Sequence, residues 1–547
     1  MRDHAGTDTA EDIVDRRVRA IETGALPGNV GALLEEAASD SGDRLAWNFF
    51  ESGETETYAS LRDRTAGLAQ GFAGLGIAKG THVAVMLPNI AAFPLSWLAL
   101  ARLGAVMVPV NIDYRERELA FILENSETGW IVIHDSLFPI LENCRSAGHA
   151  MPPNDRTIVV GNGIPGTIPW DRIARARAEG FEPAEPVTQD DLLNIQYTSG
   201  TTGFPKGCKL SQKYWLIAGK VNAMRDGLKF DRILASTPFT YMDPQWLLLM
   251  SIYQRATLIV ARRQSTSRFI GWLADHEINF CLLPWILLKQ APSDRERQHK
   301  ILRANVYGVP PHLHGEIQSR FGLVAREAFG MTEIGPAMFM PIEAQDMVGS
   351  GSCGRPVPYR RCRIADETGR TLPPGEIGEL LVSGPGIMSG YYNNPEATAA
   401  AFRGEWFRTG DLFRMDERGY FYIVGRLKDM VRRNGENVAA REVEMVLNGM
   451  ATVKESAVIG VPDEARGEEV KACIVLQDGL APTPELIDQL VAHCKRELAP
   501  FKVPRYFSFR ESFPRTTSQK IAKHALRAEA KDLRSGSYDR VENRWHP

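Results

Sequence analysis

A chain of 547 residues is too long for a single ordinary core, so two or three domains are expected. Its 44% hydrophobic and 24% charged content is that of a globular protein, and a formal charge of −3 gives no basic surplus for a nucleic-acid partner. Seven cysteines, at 144, 208, 281, 353, 362, 473 and 494, are odd in number and never spaced as C-x-x-C, which argues against a disulfide framework or a zinc site.

The opening MRDHAGTDTAEDIVDRR lacks the apolar core of a signal peptide, and the closing ENRWHP is no address signal, so a cytoplasmic location is expected. THVAVML (81–87) predicts a buried strand, 91–103 a helix, and AVMVPV (105–110) the next strand. The stretch 91–110 is the most membrane-like. Pro94, Arg102 and Gly104 interrupt it, and a helix followed by a strand explains it better than a membrane span. A helix at 115–124 leads to WIVI (130–133), and ILAS (233–236), ATLIVA (256–261) and NFCLL (279–283) continue the rhythm. Continuous apolar strands separated by helices predict a parallel sheet covered on both faces. After about residue 350, shorter strands and Gly/Pro turns, one at Asp416–Gly419, predict a small antiparallel β-barrel. From Leu427 an α+β segment follows, with strands at 456–461 and 470–476 and a helix at 485–497. The expected fold class is α/β: parallel α/β subdomains plus the barrel over 1–426, then a small α+β domain over 427–547.

Residues 197–207 read YTSGTTGFPKG directly after the apolar run LLNIQ. Three glycines permit tight turns, so amides and hydroxyls can converge on phosphate oxygens, and Lys206 adds a cation. The order differs from the Walker A loop because Gly207 follows the lysine. The alternative is a flexible Gly/Thr surface loop.

The same string resembles the signature of the adenylate-forming superfamily, which holds acyl-CoA synthetases, peptide-synthetase adenylation domains and firefly luciferases. FGMTE (329–333), FRTGD (407–411), GRLKDMVRRNGENV (425–438) and PRTTSQK (514–520) resemble further motifs of that superfamily, in its order. MVPVNIDYRERELAFILENS, PFTYMDPQ and FGMTEIG are most similar to the crotonobetaine/carnitine–CoA ligase type.

The resemblance implies an ATP-dependent acid–thiol ligase, using ATP, Mg²⁺, coenzyme A and a small-molecule carboxylic acid. Attack of a carboxylate on the α-phosphate gives it AMP as a leaving group, and two anions must meet, so cations and dipoles are needed there. Lys520 would bridge carboxylate and α-phosphate, Thr332 would bond the α-phosphate, and Glu333 would hold the metal. Thr198, Ser199, Gly200, Thr201, Thr202, Gly203 and Lys206 would cradle the β- and γ-phosphates. Asp411 would accept the ribose hydroxyls with Arg426 beside it, while Phe329, Gly330 and the turn Gly308–Val309–Pro310 would hold the adenine. Taken singly, Asp411 reads as a turn residue and Arg426 as a solvated charge.

The family rotates a small C-terminal domain between its two half-reactions. The resemblance therefore implies an AMP-binding domain over 1–426, a mobile domain over 427–547, a hinge at Lys428 and a coenzyme A channel at Asn434, Gly435 and Glu436. Tyr241 stands where a histidine is frequent, Gln519 precedes the catalytic lysine in place of glycine, Asn434 stands where a glycine is common, and Ala440 where a proline is usual. Tyr241, Met242, Asp243, Trp246, Trp285, Ile334 and Gly335 would line the acyl pocket. Their aromatic faces and Asp243 fit an acid with a trimethylammonium-like cation, against the plainer reading of core aromatics and an Asp that caps the helix entered at Pro244. The rival function is adenylation for a separate carrier protein. A catalytically silent nucleotide-binding protein predicts loss of Lys520, Glu333 or Asp411, and all are present. A homodimer is left open.

Overall fold

The structure, a computed structural model, describes residues 10–178, 180–198, 205–433, 436–516 and 520–547. The chain divides into two compact units. One comprises the described residues of Met1–Thr198, Phe204–Cys362 and Val382–Phe407, the other Arg363–Leu381 and Arg408–Pro547.

The first unit is built on two sheets. In one, the spatial order is Ile168–Pro169, Thr157–Val160, Trp130–His134, His82–Met86, Val106–Pro109, Leu192–Thr198 and Lys206–Ser211. Every neighbour is parallel except the last pair, which forms a hairpin. Val83, Ala84, Val85, Met86, Ile131, Val132 and Ile133 are wholly buried, as strands covered on both faces must be. The helix Ala92–Leu103 is buried on every side and ends at Gly104, whose φ of 74° caps it. The membrane-like stretch is thus a core helix entering a core strand. Among the described residues no helix is long and apolar enough to cross a membrane.

The other sheet runs Arg355–Pro356, Gly335–Phe339, Ala325–Met331, Arg303–Val306, Phe280–Leu282, Arg232–Ala235, Thr257–Val260, Leu45–Phe49 and Glu54–Thr57. Its middle is parallel and its edges antiparallel. Two helices, Gln212–Met224 and Met242–Gln254, pack closely because Gly219 has no side chain: a Cβ there would lie 2.6 Å from Cβ of Leu249. Ser211 caps the first helix by accepting from the Tyr214 amide at 3.3 Å.

The antiparallel strands Trp406–Met415 and Phe421–Arg426 pair Asp411 with Arg426 and Met415 with Phe421, as part of a curled five-stranded sheet along 361–426. A seven-stranded sheet follows, in the order Glu436–Ala439, Met430–Arg433, Gly467–Leu476, Tyr506–Phe509, Ser537–Asp539 and Arg544–Trp545, with Val453–Asp463 also on Gly467–Leu476. Val431, Val443, Leu447, Val458, Leu490 and Phe507 form its core beneath the helices Ala440–Asn448 and Pro484–Glu497. The α/β class, the parallel sheets, the antiparallel barrel-like sheet and the C-terminal α+β segment are those expected from the sequence.

Candidate active site

The phosphate-loop motif sits on the hairpin Leu192–Thr198 and Lys206–Ser211, in which Thr198 and Lys206 are directly paired. Thr198 Oγ1 donates to the Lys206 carbonyl at 3.4 Å. Ser199, Gly200, Thr201, Thr202 and Gly203 lie outside the described residues. The segment 389–392 adds to the free side of Lys206–Ser211. The amides of Ser389 and Tyr392 donate to the carbonyls of Lys209 and Gly207, and the Lys209 amide donates to the Gly390 carbonyl. This brings Tyr391 opposite Cys208. The Lys206 ammonium lies 5.0 Å from the centre of the Tyr391 ring. The phenol of Tyr391 donates to Glu333 Oε1 at 3.1 Å. Burial, together with Glu333, holds that phenol well above its ordinary pKa, so it stays a donor. The lysine of one motif and the glutamate of another are thus joined through a residue that the sequence did not single out.

The turn that carries Glu333 is fixed by its backbone. Tyr214 Oη donates to the Thr332 carbonyl at 2.9 Å, the Met388 amide to the Glu333 carbonyl at 2.8 Å, and Arg360 Nε to the Ile334 carbonyl at 2.9 Å. Three successive carbonyls therefore meet donors from three distant parts of the chain. The Arg360 guanidinium is buried, which pushes its pKa down to about 10, so it remains a cation near neutrality. Gly335, at φ 67°, lets the chain reverse into the next strand, and a Cβ on Gly330 would lie 2.7 Å from the Gly335 carbonyl oxygen. Two glycines predicted for adenine and acyl contact are thus required by the turn itself. Glu333 is half-buried, and a carboxylate that accepts one hydrogen bond keeps acceptor sites on both oxygens. That hard oxygen donor suits Mg²⁺.

The turn Gly308–Val309–Pro310 is held by Glu327, whose Oε2 accepts from the Gly308 amide at 3.2 Å and Oε1 from the Val309 amide at 3.0 Å. Glu327 is buried on the same strand as half-buried Phe329. The strand Ala325–Met331 thereby joins the three predicted adenine contacts, and Glu327 was legible in no motif.

Tyr241 is the N-cap of the helix Met242–Gln254 without a side-chain capping bond. The helix therefore begins two residues before Pro244, and Asp243 lies inside its first turn. The Asp243 carboxylate accepts from Trp246 Nε1 at 3.1 Å, and Asn111 Nδ2 donates to the Tyr241 hydroxyl at 3.2 Å. Trp285 opens the short 3-10 helix Trp285–Lys289 and is half-buried, as are Tyr241, Met242 and Asp243; Ile334 and Gly335 are buried. Asn89 Nδ2 donates to the Thr237 carbonyl and its Oδ1 accepts from the Phe239 amide, while Gln245 Nε2 donates to the Phe239 carbonyl. Buried amide side chains thus fix the loop that leads into Tyr241.

In the second unit, Asp411 is 1% exposed and its Oδ1 lies 2.6 Å from Arg426 Nε, across the pairing of the two strands. Gly410, at φ 67°, donates its amide to Glu379. Lys428 lies in the short turn Leu427–Asp429, and Asp429 faces Lys523 at 3.8 Å and Arg527 at 3.6 Å. Lys520 is exposed; its amide donates to Thr516 Oγ1 at 3.2 Å and its carbonyl accepts from the Thr516 amide at 2.8 Å. Glu436 is exposed at the start of its strand, while Asn434, Gly435 and Gln519 lie outside the described residues.

A family model described as AMP-binding enzyme matches residues 34–392, and one described as AMP-binding enzyme C-terminal domain matches 442–520. Crotonobetaine/carnitine–CoA ligase of Salmonella arizonae is 33% identical over 501 residues, covering 87% of this chain and 95% of that protein. The protein of the same name from Citrobacter koseri is 32% identical, covering 91% of this chain and 99% of that protein. The solved structure of o-succinylbenzoate CoA synthetase from Bacillus subtilis, in complex with its acyl-adenylate intermediate, is 26% identical at a TM-score of 0.80. It covers 93% of this chain and 99% of its own. The chain belongs to the AMP-binding enzyme family.

Proposed function

We propose that the chain is an AMP-forming acyl-CoA synthetase. A carboxylate oxygen attacks the α-phosphorus of ATP and the bond to pyrophosphate breaks. The thiol of coenzyme A then attacks the acyl carbon, loses its proton, and displaces AMP. The observation that carries this reading is that Lys206 and Glu333, the groups proposed for phosphate and for metal, both contact Tyr391.

Lys206 and Thr198 would bind the β- and γ-phosphates, Thr332 the α-phosphate, and Phe329 with the 308–310 turn the adenine. Glu333 would hold Mg²⁺, which supplies charge neutralisation for the departing pyrophosphate; the Bacillus subtilis relative has been solved with ATP and a magnesium ion. Asp411 would accept the ribose hydroxyls, and Lys520 would stabilise the charge where carboxylate meets α-phosphate. The reading keeps an adenylation domain over 1–426 and a mobile domain over 427–547, with Lys428 at the hinge and coenzyme A passing Asn434–Glu436. Crotonobetaine- and carnitine-like acids come first as substrates, from the names of the relatives and from the anionic Asp243 beside Trp246. A cytoplasmic location and, if the chain self-associates, a homodimer complete it.

The test is coenzyme A-dependent AMP release from ATP and Mg²⁺ across short, aromatic, long-chain and betaine acids. Lys520→Ala is expected to abolish AMP formation from free acid yet to form thioester from supplied acyl-adenylate. Equal loss of both half-reactions would remove the role given to Lys520. Acid-dependent pyrophosphate exchange with no thioester formed on coenzyme A would overturn the ligase reading.

A further inference from the structure

Lys206 and Glu333 carry opposite charges within one side chain's reach of each other. Closed directly, such a pair would mask the ammonium from phosphate and the carboxylate from a metal. The structure instead places one neutral side chain against both. We propose that Tyr391 is a positioning residue that holds these two groups apart and ready, its ring face carrying the ammonium and its hydroxyl the carboxylate. This rests on the proposed roles of Lys206 and Glu333.

The tyrosine is built in from every side. It is 8% exposed and paired opposite Cys208 on the phosphate hairpin. Its amide donates to Thr398 Oγ1 at 2.9 Å, and Thr398 Oγ1 in turn donates to the Asn394 carbonyl at 2.9 Å, at the start of the helix Pro395–Ala401. A Cβ on the preceding Gly390, at φ 129°, would lie 2.7 Å from Thr398 Cγ2, so the segment reaches its place only with glycine there. The ring is thus anchored by backbone on two sides, and among the described residues its side chain meets both charged groups of the candidate phosphate site.

The two contacts are chemically separable. A phenylalanine keeps the ring face for Lys206 and removes the hydroxyl from Glu333; a leucine removes both. On the full chain, Tyr391→Phe is expected to raise the Mg²⁺ concentration for half-maximal adenylation roughly tenfold, with ATP affinity measured calorimetrically without Mg²⁺ unchanged. Tyr391→Leu is expected to shift the Mg²⁺ dependence likewise and also to weaken Mg²⁺-free ATP binding about threefold or more. Combining Tyr391→Phe with Glu333→Gln should add nothing to the Mg²⁺ shift of Glu333→Gln alone. An unchanged Mg²⁺ requirement in Tyr391→Phe overturns the proposal, as does an equal effect of both variants on Mg²⁺-free ATP binding. If Tyr391→Leu fails to fold, the phenylalanine variant and the double variant decide. If Glu333→Gln itself leaves the Mg²⁺ requirement unchanged, the assignment of Glu333 fails and carries this proposal with it.

Discussion

Asp411 and Arg426 face each other across a hairpin, and the buried carboxylate of one meets the guanidinium of the other at 2.6 Å. Arg426 is 42% exposed along its side chain while Asp411 is enclosed, so the two ends of the pair are unequal. Removing the arginine takes the ion-pair partner at 2.6 Å from a buried charge, whereas removing the charge leaves a solvated arginine. Arg426→Ala is therefore expected to lower unfolding free energy by about 1–3 kcal/mol and Asp411→Asn by less. Urea denaturation of the two variants checks the order, and a reversed order refutes it. Asp411→Asn should instead raise the KM for ATP, because an amide loses one of two acceptor oxygens.

Within the second unit, Lys523 Nζ lies 2.6 Å from Glu444, whose carboxylate also accepts from the Val458 amide at 2.7 Å. Burial pushes the Glu444 carboxyl up, and Lys523 opposes that shift. Lys523→Met is expected to cost about 3 kcal/mol, and adding Glu444→Gln to return a good part of it. Chemical denaturation of single and double variants measures this. No recovery in the double variant would show that the loss is one of packing.

His314 supplies a pH dependence. Its Nε2 donates to the Ala325 carbonyl at 3.0 Å and its Nδ1 accepts from the Gly349 amide at 3.3 Å, an arrangement only the neutral ring can make. Burial holds its pKa below the ordinary 6.5. The unfolded chain therefore takes up a proton that the folded chain refuses, so this contribution is intact above pH 6.5 and is lost as pH falls below it. The slope from one such group is at most about 1.4 kcal/mol per pH unit. Unfolding free energy measured between neutral and mildly acidic pH should fall less steeply in His314→Gln than in the parent chain.

Glu327 predicts a nucleotide effect at a distance. Glu327→Ala releases two amides of the 308–310 turn and is expected to raise the KM for ATP roughly tenfold, whereas Glu327→Gln keeps one acceptor and should cost less. Steady-state kinetics with varied ATP test this, and equal KM values in parent and alanine variant would exclude the role.

What could be read from the sequence had a local cause. Buried strands such as Val83–Met86 are continuous apolar runs because both faces are covered, and the helix before Gly104 ends where a left-handed residue is needed. Motif residues such as Lys206 and Glu333 announce themselves by residue type within a fixed string. The residues that position them do not. Tyr391, Tyr214, Arg360 and Glu327 act through contacts between distant stretches, and no spacing or period connects Tyr214 with the carbonyl of Thr332. The start of the helix at Met242 also escaped, because proline fits anywhere in a first turn and Pro244 marks no single position.

The close approach at Gly219 has a bearing on how the choice of acid could change. The helix that begins at Met242 rests its Leu249 against bare backbone there, so its first turn cannot shift without the whole rod moving. A methyl group at Gly219 would press on Leu249 and displace the helix that carries Asp243 and Trp246, from a position outside the proposed acyl pocket. Exchanges made at 241–246 themselves leave the rod where it is. With the acyl pocket at 241–246 as proposed, substrate range has a coarse control and a fine one, on different helices.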